Sequence, residues 1–498
     1  MLNSTGNLGD IIGADWPANF PALIDFTDPD RPVSWTADAL GDAADAVARG
    51  LIKQGCQRGD RVAILSAPSA YNVIAYLGIM RAGCVAAPMN HGLAQSMLSF
   101  MLQDCKAKLI LADEKNRAFA AQQAPAFLLG APDFGGLVDP GPYSVPNTEF
   151  ADVAQILYTS GSTGRPKGVL LSHGGQLWSL SKMVRPRTAQ ERVLVAAPLY
   201  HMNGLLFCKV ALMNHMQILL LPKFDAKTYL TIANQQRATI ASGIPTMFAM
   251  MLREEAFARS LDLTSVTMAM MGSSPLTDAL AQGVRSLFPN AVVWNGYGTT
   301  ESGPFNFGAH PDGVPRPTLS IGYPYPEVEV RLVGPEAPAL GVLQVRSPAA
   351  TAGYLNLPEE TAKRVTDGWY DTGDIMRRDE HGFFFFVGRA DDMFVCGGEN
   401  VYPAEVEKLL ETHPSVSQAI VVPAPNALKG EIPIAFVVPR AGANVSEQAL
   451  KAFTLENGPA YRHPRRILFK TVMPLSGPGK IDRKELTLEA RAAAESRA

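Results

Sequence analysis

Cysteine is scarce: Cys56, Cys84, Cys105, Cys208 and Cys396 are spread through 498 residues, odd in number and without a CxxC pair. That excludes a disulfide framework and a cysteine zinc site, and it fits a reducing, cytoplasmic setting. An excess of one charge is also missing. A net charge of −3 argues against a general nucleic-acid or acidic-membrane binder, so a polyanionic ligand would have to be met locally. Long apolar runs are absent as well. The most apolar region, Gly204 to Pro222, is broken by Lys209, Asn214 and His215 well short of the ~20 apolar residues that cross a bilayer. The first residues carry no basic segment before an apolar core, so no secretory signal is expected. No repeat or low-complexity tract occurs.

What is present is α/β alternation. An amphipathic helix pattern, a strand "DRVAILS" and a second helix follow one another from about Thr36 to Met89. The alternation resumes with "RVLVAAP", "QILLLP", "AKTYLTIANQQ", "ATIASGIP", "VTMAMMGSS" and "AVVWNGYG". From Ile321 to about Val387 short Pro- and Gly-punctuated strands indicate an antiparallel β region, and a compact α+β pattern closes the chain. This length calls for two or more domains. The expected fold class is α/β: a large N-terminal domain of layered α/β subdomains plus a β region, residues 1–390, and a small mobile α+β C-terminal domain, residues 391–498.

Between the apolar runs "AQILYT" and "GVLLSH" lies "SGSTGRPKG". Gly161, Gly164 and Gly168 allow positive φ and close approach to a ligand, Thr159, Ser160, Ser162 and Thr163 supply hydroxyls, and Lys167 adds a cation. Such a lining suits phosphate oxygens. It is not a Walker A loop, because Pro166 stands where glycine is required and Gly168 where the hydroxyl should be. Strand runs on both sides make it a strand–loop–strand phosphate grip.

Three further stretches complete a pattern: "NGYGTTES" (295–302), "GWYDTGD" (368–374) with "GRADDMFVCGGENVYPAEVE" (388–407), and "PGKIDRKEL" (478–486). In order and spacing, over nearly the whole chain, the four segments resemble the adenylate-forming (ANL) superfamily, in particular the acyl- and aryl-CoA synthetases typified by 4-chlorobenzoate- and 4-coumarate-CoA ligases. The resemblance implies a ligase that uses ATP and Mg²⁺ to convert a carboxylic acid to an acyl-adenylate, then passes the acyl group to CoA. Two anions must meet in the first step, which calls for preorganised donors, a metal and a cation where charge develops.

By that resemblance the glycine loop and Lys167 hold the β- and γ-phosphates, and Tyr297 stacks on adenine while Thr299 offers a hydroxyl to phosphate. Glu301 holds Mg²⁺, with Thr159 as a partner. Asp374 and Arg389 take the ribose, Asp391 is the hinge, and Lys480 is the catalytic cation at the α-phosphate. His201, in "PLYHMNG", lies beside the acyl group as a gate or carboxylate contact.

The acyl pocket is expected around His201, Met202, Asn203, Met247, Met271, Gly272, Ser273 and Gly298. No residue among these is acidic or a lysine or arginine, which favours a monocarboxylic acid with an aromatic or medium-length apolar tail. Asn203 and Ser273 could meet a ring hydroxyl, which points towards benzoate- or cinnamate-type acids. Gly397 and Gly398 would let pantetheine pass, and Arg462 and Arg465, with Arg466, form a basic cluster for CoA phosphates. A homodimer is left open. The alternatives are a stand-alone adenylation enzyme that loads a carrier protein and a non-catalytic nucleotide-binding protein on the same fold.

Overall fold

The computed structural model describes residues 4–12, 16–17, 19–160, 165–184, 191–426, 428–475 and 480–495. Two mainly parallel sheets form the body of the large part. One has seven strands in the order Val292–Asn295, Met268–Met271, Ile240–Gly243, Arg192–Val195, Gln217–Leu220, Pro21–Asp25 and Val33–Thr36, and only the last is antiparallel to its neighbour. The other has six, from Ala126–Leu128 through Leu109–Ala112, Arg61–Leu65, Val85–Pro88 and Val153–Ser160 to the antiparallel edge Pro166–Ser172. The central runs "LILA" and "QILL" are buried at every position, as parallel strands covered on both faces must be.

The largest apolar cluster draws on both sheets and on the helices Ala37–Lys53, Ala70–Arg81 and Met202–Asn214. The first two of these helices touch so closely that a Cβ on Gly78 would sit 2.7 Å from the Ala44 carbonyl oxygen, so glycine is required there. The run Gly204–Asn214 is a helix buried along its entire length, Lys209 included. No described helix is long and apolar enough to cross a membrane.

An antiparallel sheet follows, built from Glu329–Val333, Leu340–Arg346, Trp369–Arg378, Val365–Thr366 and Phe384–Arg389. The strand ending at Arg389 runs into a 3₁₀ turn, Ala390–Asp392, and the next strand, Phe394–Cys396, pairs in a separate five-stranded sheet with Glu399–Val401, Gly430–Pro439, Val416–Asn426 and Arg466–Phe469. The helices Pro403–Glu411 and Glu447–Asn457 pack there, in keeping with the α+β pattern expected of this part. The sequence reading assigns no helix to the tail, whereas Arg483–Glu495 is one. Its apolar signal is short, Leu486 and Ala490 one turn apart, and those two residues seal the other face of the sheet against Ile420, Val422 and Phe436.

Candidate active site

The site assembles where strands end. Strands Met268–Met271 and Val292–Asn295 run parallel with Met271 opposite Asn295, so the residues that follow each leave the sheet side by side. The Gly296 N–H closes on the Met271 carbonyl at 2.7 Å. Crevices outside the carboxyl ends of such strands are the usual ligand position in open α/β sheets. A Cβ on Gly298 would lie 2.5 Å from the Gly303 carbonyl oxygen, and one on Gly272 would lie 3.1 Å from that of Gly296. Ser273 holds a left-handed φ of 67°, uncommon for a residue with a side chain.

The strand–loop–strand reading of the glycine segment is borne out. Val153–Ser160 and Pro166–Ser172 form an antiparallel hairpin whose last two pairs are Thr159 with Lys167 and Ser160 with Pro166. Gly161, Ser162, Thr163 and Gly164 lie outside the described residues. The Thr159 hydroxyl faces the Lys167 carbonyl at 3.5 Å. The Lys167 ammonium is turned to Glu360, 2.7 Å away, and stands 5.5 Å from the centre of the Tyr354 ring. Hydrogen bonding from Lys167 and Lys363 holds the Glu360 carboxyl down at about 2.

Cross-strand register supplies the next pair. Asp374 lies directly opposite Arg389, and their side chains meet at 2.7 Å. The second Asp374 oxygen accepts the Tyr297 hydroxyl at 2.6 Å. Burial pushes the Asp374 carboxyl above its ordinary value despite Arg389. Burial alone would lower the Arg389 guanidinium, but Asp374 more than reverses that. Tyr297 is pushed well up by burial and by the same carboxylate, and its ring meets Phe307 edge-on at 5.9 Å. Asp391 lies 3.4 Å from both Arg364 and Arg389, a carboxylate bridging two guanidiniums at the joint between the sheets.

Glu301 accepts the Tyr354 hydroxyl at 3.0 Å. The Thr299 hydroxyl is spent within its own turn, donating to the Ser302 hydroxyl at 3.0 Å and accepting the Ser302 N–H at 2.9 Å, so it reaches a phosphate only by giving up one of these bonds. Lys480 comes from the small domain into this group. Much of the residue stays open to solvent, but its ammonium is pushed below its ordinary value by crowding against protein and by Arg389, with Asp374 and Glu301 pulling the other way. The same cation also bears on His201, whose imidazole burial first, and Lys480 second, hold down at about 4.

His201 caps the helix Met202–Asn214 with an extended backbone, φ −111° and ψ 150°. Its buried Nε2 and the buried Oδ1 of Asn203 have no hydrogen-bond partner among the described residues. Two polar atoms left bare in a buried place call for a ligand or a water, because an unmet buried group costs about 1–3 kcal/mol. Met247 and Met271 are packed in the core of the seven-stranded sheet, 7% and 2% exposed, and Met202 is half-buried against the main cluster. The two core methionines can offer a pocket only an edge.

The expected CoA residues stand apart from this group. Gly397 and Gly398 form the exposed turn between Phe394–Cys396 and Glu399–Val401, with φ of 61° and 91°. Arg462 is paired with Glu405 at 2.8 Å, Arg465 is bonded to the His463 ring at 2.9 Å, and Arg466 donates to the Ala493 carbonyl at 2.5 Å, so the three guanidiniums serve separate local partners. The sequence reading missed Tyr354 and Glu360. Both act across large sequence separations, 53 residues for Tyr354–Glu301 and 193 for Lys167–Glu360, where no local pattern can mark them.

The profile of the AMP-binding enzyme family matches residues 13–355, and that of the AMP-binding enzyme C-terminal domain matches residues 405–480. The chain belongs to this adenylate-forming family. Among relatives of this AMP-binding enzyme, feruloyl-CoA synthases of Amycolatopsis sp and Streptomyces sp are each 33% identical over 450 residues, spanning 88% of this chain and 91% of theirs. The 4-coumarate–CoA ligase 2 of Nicotiana tabacum is 31% identical over 473 residues, spanning 88% and 86%. Solved structures agree: an anthranilate CoA ligase, AuaEII, in complex with anthranoyl-AMP superposes with a TM-score of 0.87 at 26% identity over 98% of both chains. ATP-bound MatB from Rhodopseudomonas palustris gives 0.84 at 28% identity over 97% of this chain and 99% of that one.

Proposed function

We propose that this AMP-binding enzyme is an ATP-dependent ligase that activates an aromatic monocarboxylic acid as its acyl-adenylate and transfers it to CoA. The observation that carries the reading is the Asp374 carboxylate held between Arg389, at 2.7 Å, and Tyr297, at 2.6 Å, with Lys480 of the small domain near enough to act electrostatically on Arg389, Asp374, Glu301 and His201. Asp374 and Arg389 accept and donate to the ribose hydroxyls, beside Tyr297 on the adenine. The glycine loop, Thr159 to Gly164, and Lys167 grip the outer phosphates. Lys480 meets charge that develops at the α-phosphate as the carboxylate displaces pyrophosphate.

Mg²⁺ suits the donor set, because a hard ion takes one carboxylate plus phosphate oxygens, and Glu301, steadied by Tyr354, offers that carboxylate with Thr159 near the phosphates. When bound, the ion neutralises charge on the triphosphate. His201 stays neutral near pH 7 and so can contact a carboxylate or an entering thiol without adding a second cation beside Lys480. The bare Asn203 carbonyl oxygen asks for a donor, as a ring hydroxyl or amino group provides. The feruloyl, coumaroyl and anthraniloyl acids of the relatives carry one.

For the second half-reaction the small domain must turn about Asp391, because Gly397 and Gly398 are exposed and stand apart from the group of charges that Lys480 joins. A panel of 4-coumarate, ferulate, anthranilate, benzoate and hexanoate with ATP, Mg²⁺ and CoA tests the reading. AMP, pyrophosphate and thioester are expected, with acids bearing a ring donor ahead of benzoate and hexanoate. Release of ADP and phosphate overturns adenylation. Pyrophosphate exchange without thioester assigns the enzyme to carrier loading, and binding without exchange assigns it to nucleotide binding alone.

A further inference from the structure

A cleft of about 260 Å³ opens at the other end of the six-stranded sheet. Its mouth is set by Arg61, Val85 and Val153, where three parallel strands begin, and the nucleotide site lies where such strands end. From Val153 to Ser160 the hairpin strand covers roughly 23 Å at ~3.3 Å per residue, so the two places are distinct. One wall is apolar: Ile156, Leu170 and Leu355.

The polar lining is not used up by the fold. Arg58 is tied to Asp152 and to the Asn147 carbonyl. Arg61, half-buried in the same cleft, has no hydrogen bond or ion pair at its guanidinium among the described residues. His173 is 2% exposed and lines the cleft too. Its Nδ1 accepts the Leu8 N–H at 2.8 Å, which fixes the tautomer and leaves the Nε2–H as a donor with no acceptor among the described residues. Burial holds this imidazole at about 4, so it is neutral near pH 7. Two arginines against one aspartate leave a single positive charge for a ligand to meet, which selects a monoanion over a dianion such as hydrogen phosphate. The volume, just under the ~300 Å³ at which drug-sized pockets begin, selects a small one.

We propose that this cleft is a second ligand site, for a small monocarboxylate with an apolar body, its carboxylate taken by Arg61, its hydrocarbon laid against Ile156, Leu170 and Leu355, and His173 a further donor at the wall.

The probe is 4-bromobenzoate, whose bromine can be located in crystals by anomalous scattering and whose binding can be titrated calorimetrically. A bromine peak in the cleft, with a saturable second binding event in solution, is expected. Arg61→Gln should weaken that event at least tenfold while leaving kcat and the KM for ATP as in the native enzyme without the probe. Val153→Phe, which fills the mouth without changing charge, should weaken it similarly. The proposal is overturned by no peak in the cleft, by binding at crystal concentration only, by unaltered affinity in both variants, or by inorganic phosphate binding as tightly as the bromobenzoate.

Discussion

Around the candidate active site Arg389 meets Asp374 at 2.7 Å and Lys167 meets Glu360 at 2.7 Å, whereas in the packed interior the Lys209 ammonium has, among the described residues, only the Gln176 amide oxygen, at 2.8 Å. The Gln176 amide nitrogen has no hydrogen-bond partner among the described residues. Both regions remove basic groups from water, but only the first provides opposite charge. In the interior, burial pushes Lys209 down to about 7, so near neutrality it is poised between two states, neither comfortable. Charges around the site are arranged so that substrate groups can share or replace a partner. The interior lysine is a structural burden that packing tolerates.

Lys480→Ala would break the first region most severely. Adenylation, read as pyrophosphate release in a single turnover, should fall by about 10³-fold, since one preorganised donor to developing charge is worth about that much. Transfer from supplied acyl-adenylate to CoA should survive. Equal loss in both steps would mean that the lysine serves the fold. Glu301→Gln keeps shape and removes a charge, and a loss of about 10²-fold in the same assay is expected, partly restored by raised Mg²⁺. Unchanged rates would place the metal elsewhere.

Lys209→Met tests the interior. Replacing a buried cation that lacks a counter-charge by an apolar chain of similar length should stabilise the enzyme by about 2 kcal/mol at pH 7, measured by denaturant unfolding. The pH dependence has a definite sign. The folded value, about 7, lies below the ordinary 10.5, so the unfolded chain binds the proton more tightly and native stability rises as pH increases from about 7 to 10.5. The variant should lose that rise, and its advantage should fade towards pH 10.5. A variant less stable than the native chain at pH 7 would reverse this view of the interior. The smallest effect concerns the joint: Asp391→Pro should slow thioester formation about tenfold while adenylation persists, because a fixed φ resists the turn of the small domain.

The sequence made the strand runs legible because parallel strands buried on both faces are almost uninterrupted apolar text, and "LILA" or "QILL" leaves little choice. It marked Lys167, Asp374, Arg389 and Lys480 through their motifs. The Asp374–Arg389 pair depends on register across a ladder, and the support of Glu301 by Tyr354 depends on a loop 53 residues away, so neither is written locally. Lys209 looked like an interruption of an apolar run. Its position in a helix enclosed on every side shows that one charge can be absorbed when an amide lies within reach. The helix Arg483–Glu495 escaped because two apolar residues suffice where the sheet already supplies the rest of the interface.

The bond from Lys167 to Glu360 bears on how a nucleotide arrives. Glu360 belongs to the large part, on the helix Pro358–Arg364, and so acts as a built-in counterion. An incoming triphosphate would replace one anion by another instead of neutralising a bare cation, with the released carboxylate still beside Lys363 at 2.6 Å. Such an exchange releases fewer salt ions to bulk water than the phosphate charge alone would suggest. ATP affinity should therefore decline gently with ionic strength, and the loop's lysine is kept in place for its ligand by a residue that yields to it.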